Sequence, residues 1–439
     1  MADNGYPTFT FQQLIDDAVL EIGDGYRAKN DELGGSGPIF LRAGHVTDSH
    51  IDFDGVEHFR SELTDKVRHK MARPGDTIVT TKGNSTGRTS FVTDEMPPFV
   101  YSPHLSYWRS ADPNRIESGF LRYWSRGREF AIQLAGMKAS TDMAPYLSLT
   151  DQRRLEITLP PIDQQKALGA ILSGLDDKIE LNRRMNATLE GMARAIFKAW
   201  FIDFEPVKAK AAGAACFPGM AQHVFDDLPN SFVNSELGEI PEGWSIGPLG
   251  NVMEHPRRTA RPEELDSTTN YVGLEHIPRQ AIWLPEWGDA SSVTSNKHYF
   301  RKGEFLFGKL RPYFHKVCVA PIDGVCSTDV VVVAPASDGW TGFVLFHISS
   351  AAFVAYTSAA STGTKMPRTN WKDMSSYAVA IPPDEIARAF SQLVAPSIAL
   401  LAANVFESRV LSSVRDALLP KLISGEISVT PIGGGSDGG

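Results

Sequence analysis

Residues 159–205 read LPPIDQQKALGAILSGLDDKIELNRRMNATLEGMARAIFKAWFIDFE. A Pro-Pro dipeptide opens the stretch, and Asp163 is placed to cap a helix just after it. Leu168, Leu175, Asn182, Leu189 and Ile196 then recur at every seventh position, with Ile171, Ile179, Met185, Met192 and Ala199 beside them. Seven-residue spacing held over this length predicts a coiled coil, the alternative being an ordinary core helix. The pattern occurs twice. Ile381-Pro382-Pro383 opens a second copy, offset by 222 residues, whose stripe is Phe390, Ser397, Asn404, Leu411 and Leu418, flanked by Leu393, Leu400, Leu401 and Val414.

Each copy spans about 39 residues, or roughly 58 Å at 1.5 Å per residue. Antiparallel packing about their centres would bring Asn182 to Asn404. A buried polar pair of that kind fixes register at some cost in stability; otherwise both asparagines sit at a partly solvated position. Pro396 inside the second copy removes a helical hydrogen bond and challenges helix continuity near 394–397.

A chain of 439 residues is too long for one ordinary core, and 42% apolar with 22% charged residues suffices for two. Cys216, Cys318 and Cys326 form no C-x-x-C pair and no disulfide framework, which fits a reducing cytosol. The N-terminal MADNGYPTFTFQQL has no basic region followed by an apolar one, and no run of about 18 apolar residues exists. A cytoplasmic protein without membrane insertion is expected. The net charge of −9 weighs against a free-standing nucleic-acid binder, although local basic patches can still serve one.

The segments preceding the two helices share a β-rich, Gly/Pro-punctuated grammar, with helices expected near Phe9–Ile22 and Ser118–Leu134 in the first. Arg301-Lys302-Gly303-Glu304 echoes Arg73-Pro74-Gly75-Asp76, and Tyr271–Ile277 echoes Phe40–Val46. Offsets of 228 and 231 residues, drifting around 222, are expected if loops differ in length between two copies of one fold. The divisions are 1–158, a first β-rich unit; 159–206, a helical spacer; 207–240, a linker; 241–380, a second β-rich unit; 381–427, a second spacer; and 428–439, a Gly-rich flexible tail. Two repeated units with a fixed separation and a pseudo-twofold axis suit the reading of two half-sites on a duplex.

The segments LPPIDQQ (159–165), LSGLDDKIE (172–180), NRRMNATL (182–189), FKAWFIDFEPV (197–207), SELGEIPEGW (235–244) and LLPKLISGEI (418–427) carry a resemblance over essentially the whole chain. The chain resembles the specificity subunits of Type I restriction-modification systems. The second spacer departs from the pattern, lacking the usual Glu-Gln after Pro-Pro. The resemblance implies an α+β fold: two repeated target-recognition domains, β-rich with short helices, separated by two long helices in an antiparallel coiled coil. It implies a non-catalytic subunit that reads a bipartite, asymmetric sequence in double-stranded DNA and scaffolds two methyltransferase subunits and the restriction subunits. Cofactors are expected on those partners, S-adenosylmethionine and ATP with magnesium, and none here.

Within that resemblance the candidate DNA contacts fall in two pairs of loops. One pair is Lys82, Asn84 and Arg88 around Gly83…Gly87, with Arg60, Lys66, Arg68, Lys70 and Arg73 upstream, matched by Lys309, Arg311 and Tyr313, with His315 and Lys316 after Arg301 and Lys302. The other is Lys138 and Thr141 in the first unit, matched by Lys365 and Arg368 in the second. Arg and Asn suit bidentate base contacts and Lys positions phosphates; the alternative is a solvated charged edge that deters strand pairing. Tyr146 and Trp371, which follow the second pair of loops, read as packing residues.

Enzyme signatures are lacking. Gly83–Thr89 is one residue short of a phosphate loop, has Arg for Lys and leads into a strand. Met96-Pro97-Pro98-Phe99 lacks the amide or acid that would hold a target base, and no histidine pattern suits a metal. Two other classes remain: a nuclease or methyltransferase in its own right, and a protein-binding adaptor or inhibitor of a restriction complex.

Overall fold

The computed structural model describes residues 5–47, 50–139, 145–361, 363, 366–427 and 429. The chain forms two compact units, residues 1–177 with 411–439, and residues 178–410. Two helices of 40 residues, Ile162–Phe201 and Asp384–Ile423, contribute a part to each. Asp163 lies within the first turn of the first helix rather than ahead of it.

In the first unit a four-stranded antiparallel sheet runs in the order Leu20–Asp24, Leu105–Ser110, Thr77–Thr80, Thr89–Phe91. A second sheet has the order Glu57–His58, Ile39–Leu41, Phe99–Tyr101, its last pair parallel. Thr8–Thr10 pairs with Glu156–Thr158 beside the start of the long helix. The helix expected near Phe9–Ile22 stops at Asp16, because Leu20–Asp24 is taken into the sheet. The one expected near Ser118–Leu134 is two helices, Ser118–Trp124 and Arg128–Ala139, broken around Gly127.

The second unit repeats this plan. Met253–Glu254, Val330–Pro335, Phe305–Gly308 and Val317–Val319 form the four-stranded sheet, and Ser245–Pro248 pairs with Ala378–Ile381 beside the second long helix. The other sheet is larger, in the order Thr259–Ala260, Lys297–Phe300, Gly324–Cys326, Asn270–Val272, Gly288–Asp289. The turn that the sequence repeats is built the same way twice. The backbone N–H of Arg73 donates to Asp76 Oδ2 and that of Arg301 to Glu304 Oε2, both at 2.8 Å.

Within residues 178–410 the long helices pack antiparallel, and the expected Asn182–Asn404 pair is displaced by one helical turn. Asn404 Nδ2 donates to Asn186 Oδ1 at 2.8 Å, while Asn182 Nδ2 donates to Glu407 Oε2 at 2.7 Å and to Ser408 Oγ at 3.2 Å. Asn186, four residues after Asn182 and on the same face, is the second buried polar residue that sets this register. The flanking residues Ile171, Met192, Leu393, Leu400 and Val414 are exposed rather than buried. Each helix also packs on a globular core, through Leu168 and Leu172 in the first unit and Phe197, Trp200, Phe390 and Val394 in the second, which turns the opposite flank outward.

Pro396 does not interrupt its helix. Both Pro396 and Gln392 are exposed, so the carbonyl left without a helical donor lies on the solvated side. By length and composition alone Asp384–Ile423 could cross a membrane, with a mean hydropathy of 1.6 over its most apolar 18 residues; Phe390, Val394, Leu401 and Val405 from that stretch are buried in the second unit. The bent pair Asp338–Ile348 and Ala351–Ala359 passes the same test only if taken as one broken segment.

Candidate nucleic-acid interface

The loops that the sequence presents as two separate pairs are joined by a short ladder in each unit. In the first, Lys82 bridges antiparallel to Tyr146; Gly83 N–H donates to Pro145 O at 3.2 Å and Leu147 N–H to Thr81 O at 2.9 Å. In the second, Leu310 bridges to Arg368; Arg311 N–H donates to Pro367 O at 2.8 Å and Thr369 N–H to Lys309 O at 3.1 Å. A third strand end joins both ladders. Thr81 N–H donates to His104 O, and Lys309 N–H to Asp329 O, each at 2.9 Å.

Superposing the two hydrogen-bond patterns pairs Lys82 with Leu310, Gly83 with Arg311, His104 with Asp329 and Tyr146 with Arg368. The backbone frame is shared and the side chains on it differ in charge and shape. Lys82, Asn84 and Tyr146 are exposed in the first unit, and Tyr313 and Arg368 in the second. Lys309 and Arg311 are half-buried. Arg368 Nε donates to Asp329 Oδ1 at 3.1 Å, so the charge at this site is held by its neighbour on the third segment.

Several candidate cations are engaged within the fold. Arg88 is partly buried and donates from Nη1 to Val46 O at 3.1 Å. Lys66 pairs with Glu32 at 2.6 Å, Arg68 with Asp65 at 2.6 Å and Lys70 with Asp24 at 2.7 Å, so these three members of the upstream cluster are balanced by carboxylates. Lys138 is half-buried in the last turn of its helix, and Thr141 and Lys365 lie outside the described residues.

Two contributors were missed from the sequence. Tyr146, read as a packing residue, is 56% exposed. The clue was the alternation of a short strand, since Leu147 beside it is buried and neighbouring side chains point to opposite faces. His104 enters through a pairing 23 residues away, for which no local signal exists; with Arg27, Asn30 and Arg42 it lines a hollow of about 320 Å³. Trp371 does pack, 5.6 Å from the His255 ring.

The loop of the first unit depends on Gly87. Its φ is +87°, and a Cβ there would lie 2.1 Å from Leu134 Cδ2. Gly87→Ala is expected to cost about 1–3 kcal/mol from backbone strain and overpacking. Hydrogen exchange should then speed up in residues 80–92 and 128–138; unchanged protection would refute it.

Residues 19–191 match the family model described as the Type I restriction modification DNA specificity domain. The Type I restriction enzyme HindI specificity subunit of Haemophilus influenzae is 23% identical over 450 residues, covering 89% of this chain and 94% of the relative. The MjaIX specificity subunit of Methanocaldococcus jannaschii is 26% identical over 327 residues, covering 72% of this chain and 70% of its own. Along these lengths the chain is similar to specificity subunits of Type I restriction-modification systems. Its fold is similar to that of a solved structure: the crystal structure of the Type I restriction-modification S subunit from M. genitalium aligns over 96% of this chain and 97% of its own, at a TM-score of 0.55 and 13% identity. The ladders are the places where the two copies of this scaffold carry different surface chemistry.

Proposed function

We propose that this chain is the DNA-recognition subunit of a Type I restriction-modification complex, with residues 1–158 and 241–380 each reading one half of a split, asymmetric site. The observation that carries this reading is the pair of equivalent ladders with unlike side chains, Lys82, Gly83, His104 and Tyr146 against Leu310, Arg311, Asp329 and Arg368. A common backbone frame can present to each half-site a similar approach with different donors, acceptors and stacking surfaces. The subunit itself is non-catalytic, and methyl transfer and cleavage belong to its partners with their S-adenosylmethionine, ATP and magnesium. Two methyltransferase subunits dock on the long helices. In support, exposed apolar residues recur at equivalent places, Ile171 with Leu393 and Met192 with Val414, as a repeated docking face would require.

The test is long-read mapping of methylated bases in cells that co-express this chain and its neighbouring methyltransferase subunit. One split motif that disappears without this chain is expected. An assembled complex with an active partner and no such motif would transfer the reading to a protein-binding adaptor.

Lys82 and Arg311 should differ in their effects. Lys82→Ala is expected to weaken binding of the assembled complex alike for all sequences and to reduce the log K against log salt slope by about 1. Arg311→Ala should instead cost about 1–3 kcal/mol of discrimination in one half-site. Titrations at several salt concentrations against matched and singly mismatched duplexes separate the two; identical behaviour would refute the assignment.

A further inference from the structure

The Arg311–His315 loop of the second unit is held from the first long helix by a chain of hydrogen bonds. Glu190 of that helix is buried; its Oε2 accepts the backbone N–H of Ile282 at 3.0 Å, and its Oε1 accepts Arg194 Nε at 2.7 Å. Arg194 Nη1 in turn donates to the carbonyl of Ser349 at 2.8 Å. That carbonyl closes the helix Thr341–Ile348, where an oxygen has no helical donor and a cation is favoured. It accepts a second bond from the other side, from His315 Nε2 at 2.9 Å. The carbonyl of His315 then accepts Gln280 N–H at 2.9 Å, two residues before the Ile282 amide that Glu190 holds.

This circuit encloses backbone strain. Gln280, Arg311 and His315 have φ values of 56°, 52° and 53°, three of the five non-glycine residues with positive φ among the described residues. Such conformations persist only where their surroundings over-determine them, and they concentrate at functional sites. A role limited to capping the helix Thr341–Ile348 would require Arg194 alone. Sharing one acceptor with His315 couples the spacer helix to the loop that carries Arg311 and Tyr313. The equivalent places on the second helix, 222 residues on, hold Ser412 and Asp416, so the repeat does not reproduce this brace for the first unit.

We propose that Glu190, Arg194 and His315 are positioning residues that set the Arg311–His315 loop for base discrimination in the half-site read by the second unit. This rests on the recognition reading above. The experiment maps methylated motifs in cells carrying the full chain with its methyltransferase partner, after exchange of residues 241–380 for a relative's segment has identified the half-site concerned. Arg194→Met and His315→Ala should each raise methylation of single mismatches in that half by about tenfold and leave the other half unchanged. His315→Gln, which keeps a donor at similar reach, should stay near wild type. If Arg194→Met loosens residues 341–348 in hydrogen exchange, His315→Ala decides, since it leaves the Arg194 bond to the carbonyl that closes that helix in place. Both halves keeping full stringency, or both relaxing equally, overturns the proposal. A wild-type chain that yields no split motif overturns the recognition reading itself, and the positioning proposal with it.

Discussion

Asp176→Ala is expected to be among the most destabilising single substitutions in the first unit, costing about 3–5 kcal/mol. The Asp176 carboxylate lies among three guanidiniums. Its Oδ2 accepts from Arg122 Nη2 at 2.5 Å, Tyr123 OH at 2.9 Å and Arg126 Nη1 at 3.2 Å, and its Oδ1 from Arg415 Nη1 at 2.7 Å. The Asp176 side chain is 9% exposed and those of Arg122, Arg126 and Arg415 are 12%, 16% and 18% exposed, so little solvent screens them. Removing the carboxylate leaves like charges facing one another in a site that water barely enters. Arg415 belongs to the second long helix, so the same change loosens that helix's last turns from the first unit's core.

The pH dependence has a definite sign. Burial alone would push the Asp176 carboxyl up, but Arg122, Arg126 and Arg415 together outweigh it and hold the group below the ordinary range. A carboxylate with a depressed folded pKa contributes its full stability above the unfolded value of about 3.9, and loses it as pH falls through the folded value. The deficit of Asp176→Ala relative to wild type should therefore be constant from neutral pH down to about 4 and shrink below it. Urea titrations at several pH values measure this. A loss under about 1 kcal/mol at pH 7 would mean that the arginines find other partners or water. Asp176→Ala combined with Arg415→Leu should cost less than the sum of the single changes, because it also removes one of the stranded charges.

Asp176 shows where sequence reading stopped. The seven-residue spacing and the Pro-Pro starts were enough for the two long helices, since both are local signals. The turn at Arg73–Asp76 and its echo at Arg301–Glu304 were legible for the same reason. The register was not. Asn182 and Asn404 mark the centres of their stripes, yet the packed globular cores select a register one turn away, in which Asn186 meets Asn404. That choice depends on the buried faces of Phe197 and Phe390, which heptad spacing does not rank. The two basic loops of each unit were visible separately. Their union was hidden because it pairs Lys82 with Tyr146 and Leu310 with Arg368, residues 64 and 58 apart in the chain. Charge alone likewise failed to distinguish Lys82, which faces solvent, from Lys66 and Lys70, which serve carboxylates distant in sequence.

Asp76→Ala should remove stability and one half of the recognition together. Asp76 is fully buried, and its carboxylate takes Arg109 in a two-point contact, Nε to Oδ1 at 2.6 Å and Nη2 to Oδ2 at 2.8 Å. Oδ2 also accepts Tyr101 OH at 2.6 Å and the Arg73 backbone N–H at 2.8 Å, tying the second sheet to the turn that begins strand Thr77–Thr80. That strand runs directly into Thr81–Gly83, the first rung of the ladder with Tyr146. Arg109, only 11% exposed, would keep its Nη1 bond to the half-exposed Glu21 at 3.2 Å but lose both bonds to a buried carboxylate, which is expected to cost about 3–5 kcal/mol. The repeat supplies the control. Glu304 holds Arg258 by two bonds of 2.9 and 2.6 Å in the equivalent turn, but Arg258 is 31% exposed and can return to water, so Glu304→Ala should cost only about 1–2 kcal/mol. Denaturation of both variants gives the order, and methylation mapping gives the consequence. Asp76→Ala should degrade the half-site of the first unit first, at temperatures where Glu304→Ala still yields both halves. Equal losses in the two variants would show that exposure of the partner guanidinium does not govern the cost.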